Sequence, residues 1–289
     1  MTDMSYEAPQ SLDAAVALLA GANGGGKVLA GGTDVLVQLH AEMIEPDVLV
    51  DIKYIADVRQ MSEDSGVWRV GAAVPGMKVI DDPGFSSAWP GVCDGVALIG
   101  SVQVKGRASI GGNLCNASPA ADSIPALIAA NAVATIIGPD GTREDAVENI
   151  VTGPGKTSLG DGEFIVSFSF PARPAHSGDC YMRLTPRTEM DIAVVGVGAN
   201  LTLDDSGVCT AARIAVCAVA PTPLLVADAA AALVGTKLDD AAMESMIAAV
   251  RAACNPISDK RGTKEYRIKT AGVIARRAVE KALERAKAN

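Results

Sequence analysis

Two pairs of glycines, each placed just ahead of a helical pattern, constrain this chain more than any other feature. Gly31-Gly32 follows a strand-like run, Val28 to Ala30, and precedes a helical pattern over residues 35–43. Gly111-Gly112 precedes an apolar helical pattern that begins at Ile124. Because glycine has no Cβ, backbone N–H groups at such turns can approach a ligand closely, and a helix N-terminus adds positive potential. Two such turns facing one ligand indicate a diphosphate, and therefore a dinucleotide.

The charge balance and the low aromatic content argue against a nucleic-acid-binding protein. The formal net charge of −9 would repel a phosphate backbone, and only 3% of the residues are aromatic and able to stack on bases. The 289 residues, 49% of them hydrophobic, can bury the core of one large domain or of two to three small ones. The longest apolar run, residues 126–138, is interrupted by Asn131 and is too short for a membrane span. The first residues are acidic where a secretory signal is basic, so we expect a cytoplasmic protein.

The cysteines and histidines indicate that side chains of this chain do not carry out the chemistry. The six cysteines are scattered without a CxxC pair, which predicts free thiols and no iron–sulfur or zinc site within this chain. Its two histidines, His40 and His176, have no partner motif that would suggest a Ser-His-Asp triad. We therefore expect no catalytic and no metal-binding residue, and a bound cofactor that supplies the reactivity.

Two familiar phosphate-binding motifs are disfavoured. Residues 21–27 match the first seven positions of a P-loop, but Val28 stands where Ser or Thr is needed and a strand follows instead of a helix. This segment is therefore interpreted as a helix-to-strand turn. No GxGxxG sequence follows a predicted strand, which argues against a Rossmann domain.

Prolines help to place the helices. With Asp122 as N-cap, Pro125 falls in the first turn of the next helix, where its missing N–H is harmless; a cap at Ser118 would place it in the interior. Asp122 is thus a candidate helix cap, a role that does not exclude ligand contact. In the helical pattern over residues 86–99, Pro90 predicts either a first turn or a break.

The composition changes after about residue 174. Residues 171–178 contain two prolines and small polar residues, as is typical of a linker. Three strand-like runs and then three helical patterns follow, which predicts a separate α+β module. The strands are expected at residues 181–184, 193–203 and 212–219, and the helices at residues 227–233, 239–253 and from 266 to the end.

The chain resembles the FAD-binding medium subunit of molybdenum hydroxylases, the family of xanthine dehydrogenase and carbon monoxide dehydrogenase. The resemblance extends over nearly the whole chain. It rests on motifs in the right order, at residues 30–34, 109–113 with 118–122, 187–193, 258–267 and 276–278.

This resemblance implies an α+β fold in three parts. Two N-terminal subdomains, about residues 1–55 and 56–174, would form an FAD-binding domain of the vanillyl-alcohol-oxidase type. Residues 178–289 would form a C-terminal flavoprotein-subunit domain, a three-stranded antiparallel sheet with helices.

In such subunits the two glycine loops hold the FAD pyrophosphate with backbone amides. Matching positions imply side-chain bonds from Thr33 and Asn113, contact of Asp122 with the ribityl or diphosphate region, and Arg183 near the flavin ring. The expected cofactor-binding residues are Ala30, Gly31, Gly32, Thr33, Asp34, Val35, Ser109, Ile110, Gly111, Gly112, Asn113, Cys115, Asp122 and Arg183.

Several of these residues have simpler alternatives. Thr33 could be only a helix cap, Asn113 only a left-handed turn residue, and Cys115 only a buried, inert thiol. Arg187 and Asp191 are spaced i, i+4 and could form only a surface ion pair.

The resemblance implies an oxidoreductase subunit that transfers electrons through FAD. Electrons would arrive from [2Fe-2S] clusters on a small partner subunit and, before that, from a molybdenum cofactor on a large one. They would leave for NAD or another acceptor, in a heterotrimeric complex. The alternatives are a stand-alone FAD-dependent oxidase or dehydrogenase, and a non-enzymatic scaffold that has lost FAD.

Overall fold

A small parallel sheet begins the chain. The computed structural model describes residues 4–289, and three strands pair in the order β1-β3-β2 with two helices beside them. All four residues of β3 are buried, as in strands covered on both faces. Ser11 caps α1, since its hydroxyl oxygen accepts a hydrogen bond from the Ala14 N–H. The elements are β1 (Ser5–Glu7), α1 (Leu12–Gly21), β2 (Gly26–Leu29), α2 (Val35–His40) and β3 (Val48–Asp51).

A five-stranded antiparallel sheet follows, with short helices packed against it. Its order is β4-β5-β10-β6-β7, and β8 and β9 form a separate hairpin. Aromatic rings fill part of its core: Phe85 and Phe170 meet edge to face with ring centroids 5.1 Å apart. The strands are β4 (Met61–Asp64), β5 (Val67–Gly71), β6 (Val133–Gly138), β7 (Gly141–Ala146), β8 (Val151–Gly153), β9 (Lys156–Thr157) and β10 (Phe164–Phe170). The helices are α3 (Gly76–Asp81), α4 (Pro83–Ala88), α5 (Pro90–Ala97), α6 (Val102–Lys105), α7 (Ile110–Cys115) and α8 (Ser123–Ala129).

The prolines act as their positions predict. The helical pattern over residues 86–99 is broken at Trp89, and Pro90 begins α5. Pro125 lies in the first turn of α8, as expected. Asp122 stands at the N-cap position, but its side chain makes no capping hydrogen bond. The suggested capping role of Asp122 is therefore wrong.

The C-terminal part is an antiparallel sheet covered by helices on one face. Its order is β11-β12-β13-β14, so a short fourth strand joins the three that were expected. The α+β class predicted from the sequence is confirmed. The elements are β11 (Ser177–Leu184), β12 (Val195–Leu203), β13 (Cys209–Cys217), β14 (Leu224–Leu225), α9 (Ala227–Ala231), α10 (Asp240–Ala253) and α11 (Lys264–Ala288).

Helix α8 lies between the second and third sheets. All seven of its residues are buried, and a Cβ at Gly198 of β12 would collide with the Pro125 carbonyl group. Nearby, Arg285 of α11 donates a hydrogen bond of 2.6 Å to the Asp94 carboxylate of α5. The C-terminal sheet thus covers α8 and completes its burial. None of the helices within residues 4–289 combines the length and apolar character that crossing a bilayer requires.

Candidate functional site

A cleft of about 510 Å³ runs between the parallel sheet and the five-stranded sheet. Its walls include the loop after β2, one face of α7 and the chain that leads into β10. Protein sites for cofactors are concave and about 300–1,000 Å³ in volume, so this cleft has a suitable size. Both glycine segments found in the sequence border it, although they lie about 80 residues apart.

The first glycine loop presents unused hydrogen-bond donors. It lies between β2 and α2, and Gly32 adopts a left-handed φ of 83° that favours glycine. Within residues 4–289, the backbone N–H groups of the five residues from Gly31 to Val35 have no hydrogen-bond acceptor. All five residues line the cleft. A row of free N–H groups at a helix start is a binding site for an anion such as a diphosphate.

Gly31 also brings the two glycine segments together. A Cβ on Gly31 would overlap the carbonyl oxygen of Arg107, two residues before Ser109. The backbones of both loops therefore meet without an intervening side chain, and they form one continuous wall of the cleft.

The second glycine segment is a short helix rather than an open turn. Ser109 caps α7: its hydroxyl oxygen accepts a 3.1 Å bond from the Gly112 N–H. The Gly111 N–H donates to the Ala72 carbonyl, and the Asn113 N–H donates to the Ser109 carbonyl. The open turn expected here is wrong, because the Gly112 and Asn113 N–H groups close a helical turn at Ser109 and the Gly111 N–H is bonded to Ala72, just after β5. Asn113 is accordingly helical and is not a left-handed turn residue.

The two glycines of α7 have different surroundings. A Cβ on Gly111 would lie 2.6 Å from the Ala72 carbonyl oxygen, so this position packs against backbone. A Cβ on Gly112 would meet only the Ser109 hydroxyl oxygen, at 3.2 Å, because this residue faces the cleft. Gly112 therefore leaves space for whatever occupies the cleft.

Four further predicted residues line the cleft, namely Ala30, Ser109, Asn113 and Cys115. Asp34, and not Thr33, occupies the N-cap position of α2, and neither side chain caps it. The Cys115 side chain is exposed, so the alternative of a buried thiol is wrong. Desolvation by the enclosing walls nevertheless raises the pKa of the Cys115 thiol to about 11.

Asp122 and Arg183 are brought together, but away from the cleft wall. The Arg183 guanidinium donates to one Asp122 oxygen at 2.6 Å, and the Tyr181 hydroxyl donates to the other at 2.7 Å. Burial raises the pKa of Asp122, while the Arg183 charge and the two hydrogen bonds oppose that rise. Arg183 also donates to the Leu98 carbonyl, next to Ile99 on the cleft wall. Ile110, another predicted site residue, is buried beneath the wall.

Two groups at the cleft escaped the sequence-based prediction. Lys27 lies on its wall, and the P-loop-like segment before it is the helix-to-strand turn that we expected. Gln38 of α2 donates a 3.1 Å hydrogen bond to Asn116, which directly follows α7. This bond links the two helices that start at the glycine segments. No local sequence signal marks it, because the two residues are 78 positions apart.

Arg187 and Asp191 form the ion pair considered from their spacing, with 3.7 Å between nitrogen and oxygen. The Arg187 side chain is exposed, and Asp191 also contacts Arg261 at 3.4 Å. The pair lies in the loop between β11 and β12, where it ties that loop to the segment before α11.

Comparison with known proteins decides the family. Residues 2–173 match the model of the FAD binding domain in molybdopterin dehydrogenase. Residues 180–282 match that of the CO dehydrogenase flavoprotein C-terminal domain. The chain belongs to this family of FAD-binding dehydrogenase subunits. The resemblance inferred from the sequence motifs is thereby confirmed.

Individual relatives match over almost their whole length. The chain is 32% identical over 281 residues to a putative xanthine dehydrogenase FAD-binding subunit of Escherichia coli strain K12, covering 96% of each protein. It is 34% identical over 283 residues to a carbon monoxide dehydrogenase medium chain of Afipia carboxidovorans, covering 98% of this chain and 97% of the relative. Its fold matches reconstituted CO dehydrogenase from Oligotropha carboxidovorans with a TM-score of 0.94 and 32% identity, over 98% of each chain. It is thus a subunit of the oxidoreductase type, with the two-subdomain FAD-binding fold and the C-terminal module that we expected.

Proposed function

We propose that this chain holds FAD in the cleft and serves as the electron-transfer subunit of a multi-subunit molybdenum hydroxylase. The observation that carries this proposal is the row of free backbone N–H groups from Gly31 to Val35. Such donors bind a diphosphate through fixed dipoles and need few lysines. This suits a chain with a net charge of −9.

The remaining cleft residues fit the other requirements of a dinucleotide. Lys27 adds one positive charge to the wall, and Gly112 keeps the space beside α7 open. The Asn113 amide adds a side-chain donor. FAD, when bound, supplies the ability to exchange electrons singly or in pairs.

The residues of this chain would position the cofactor rather than react with it. The Gly31–Arg107 backbone contact and the Gln38–Asn116 hydrogen bond keep the two walls of the cleft together. Arg183, paired with Asp122, holds the Leu98 carbonyl and so supports Ile99, the next residue, on the wall. We infer that none of these side chains acts as a general acid or base, and that the paired Asp122 and Arg183 influence FAD through this support.

The partners follow from the relatives, which bear names such as medium chain and complex subunit. We infer a small subunit with [2Fe-2S] clusters that delivers electrons, and a large subunit with a molybdenum cofactor that oxidises the substrate. NAD or another acceptor would receive the electrons. A heterotrimer is the simplest assembly with these parts, and its cytoplasmic location stays a prediction.

The domain division also stays a proposal. We assign residues 1–174 to the FAD-binding domain, with subdomains of about 1–55 and 56–174, and residues 178–289 to the C-terminal domain. This division would put the subdomain boundary just after β3, and the linker, residues 171–178, from the end of β10 to the first two residues of β11.

The decisive experiment is a visible absorption spectrum of the purified chain after incubation with FAD and gel filtration. We expect a flavin spectrum with one FAD per chain. If no FAD is retained, the same measurement is made on the complex co-expressed with its partner subunits. A complex without FAD would refute the proposal. The substrate of the complex is then added to the complete complex and to this chain alone, each with FAD bound. Reduction of the flavin in the complex only would distinguish an electron-transfer subunit from a stand-alone oxidase.

A further inference from the structure

Ser123, the first residue of α8, is directed at the Asn113 side chain on the cleft wall. The Ser123 side chain is fully buried, with 0% of the residue exposed. Its hydroxyl oxygen lies 2.7 Å from Asn113 Oδ1, and this is its one hydrogen bond within residues 4–289. Ser123 did not figure among the site residues expected from the sequence. It lies behind the wall, and Asn113 lies on it.

This contact determines how the Asn113 amide is oriented. If Oδ1 faces Ser123, the buried hydroxyl donates its proton to it, and every polar atom at the contact is satisfied. If the amide is rotated by 180°, Nδ2 donates to the hydroxyl, and the hydroxyl proton is left in the interior without an acceptor. A buried donor without a partner costs about 1–3 kcal/mol, so the first orientation is strongly preferred.

The preferred orientation turns the Asn113 Nδ2 group toward the cleft. Within the described part of the chain, this nitrogen has no hydrogen-bond partner, and it is not among the buried unpaired polar atoms. It is therefore an accessible donor on the wall that also carries the free N–H groups of Gly31 to Val35.

We propose that Ser123 is a positioning residue for cofactor binding. The Ser123 hydroxyl donates to Asn113 Oδ1 and thereby keeps the Asn113 amide in one orientation. In that orientation an N–H group, and not an oxygen, faces the diphosphate. This inference rests on the proposed function, because it requires FAD in the cleft. Loss of the Ser123 hydroxyl frees the amide to rotate, and the rotated amide places a carbonyl oxygen next to a diphosphate oxygen, where the two repel.

The test is a double-mutant cycle on FAD affinity. The dissociation constant for FAD is measured by titration for the wild-type chain, Ser123→Ala, Asn113→Ala and the double variant; the co-expressed complex is used if the chain alone does not retain FAD. We expect Ser123→Ala to weaken binding about tenfold, since a hydrogen bond to a charged group is lost or impaired. In the Asn113→Ala background, the same substitution should have no further effect, because Ser123 acts through Asn113.

A second ligand separates positioning from a general packing defect. Riboflavin lacks the diphosphate, so Ser123→Ala should leave the affinity for riboflavin unchanged. Thermal melting of each variant without ligand checks that the variant is folded. An equal loss of FAD affinity in both backgrounds, or no loss in either, overturns the role of Ser123 while leaving FAD binding intact. Failure of the wild-type complex to bind FAD overturns the proposed function and this inference with it.

Discussion

The two glycine segments look alike in sequence but differ in what their backbones offer. After β2, the N–H groups of Gly31 to Val35 are free to bind a ligand. In α7, those of Gly111, Gly112 and Asn113 are used within the protein. The first segment is therefore a set of donors. The second contributes the side-chain-free surface at Gly112 and the side-chain donor of Asn113.

The difference shows that glycine is required for three separate reasons in one site. Position 32 requires glycine because its φ is left-handed, and position 31 requires it because the Arg107 backbone lies in close contact. Position 112 requires glycine for neither reason, since its conformation is helical and a Cβ there would meet no backbone of a neighbouring segment. Its lack of a side chain serves the ligand, so substitutions at the three positions should fail in different ways.

The largest effect is expected at the donor segment, for Gly31→Ala. The added methyl group would overlap the Arg107 carbonyl, and relieving that overlap must move one loop away from the other. We expect destabilisation by about 1–3 kcal/mol in urea unfolding, as for other overpacked sites, together with loss of detectable FAD binding. Gly21→Ala is the control, because a Cβ at this end of α1 meets nothing within 4 Å. Wild-type stability of the Gly31 variant would contradict the close contact.

Gly112→Val should separate binding from stability. A Cβ at this position would lie 3.2 Å from the Ser109 hydroxyl oxygen and would meet no neighbouring segment, so the unfolding free energy should stay within about 1 kcal/mol of wild type. FAD affinity should fall by about 30-fold or more because the side chain occupies space that the cofactor needs. Titration of FAD and urea unfolding of the same preparation check this. A large loss of stability would show that the segment is a packed turn and not an open surface.

Cys115, at the end of α7, reports on the same wall. The residue is exposed, but desolvation raises the pKa of its thiol to about 11, so alkylation by iodoacetamide should be slow at pH 7 and accelerate about tenfold per pH unit up to pH 10. Bound FAD should slow this labelling about tenfold by covering the wall. Mass spectrometry of the labelled peptide measures the rate, with Cys115→Ser as the blank. A labelling rate that FAD does not change would mean that the cofactor does not cover α7.

Gln38→Ala should give the smallest effect. It removes the hydrogen bond between α2 and Asn116, which links the two glycine segments at their far ends. One such bond contributes about 0.5–1.5 kcal/mol, so we expect FAD to dissociate about threefold faster. Stopped-flow dilution measures this rate, and Asn116→Ala should reproduce it. Unequal rates for the two variants would indicate that the residues act separately.

Local features were predictable from the sequence, and contacts between distant segments were not. The positions of the glycine segments and the helix start set by Pro125 depend on neighbouring residues, so their patterns located them correctly. The pairing of Asp122 with Arg183 joins residues 61 positions apart, and it defeats the local expectation that Asp122 caps α8. The helical state of Gly111-Gly112 was missed because a Ser109 cap and the Ala72 carbonyl outweigh the low helix propensity of glycine.

The position of α8 between two sheets determines whether the two domains unfold together. Asp122 at its start is neutralised by Arg183 of β11, and Pro125 within it packs against Gly198 of β12. Removal of the C-terminal domain would leave a carboxylate without its partner and an apolar helix in water, both of which are costly. Melting of the intact chain should therefore be a single cooperative transition, and limited proteolysis in the linker should not release a stable N-terminal fragment.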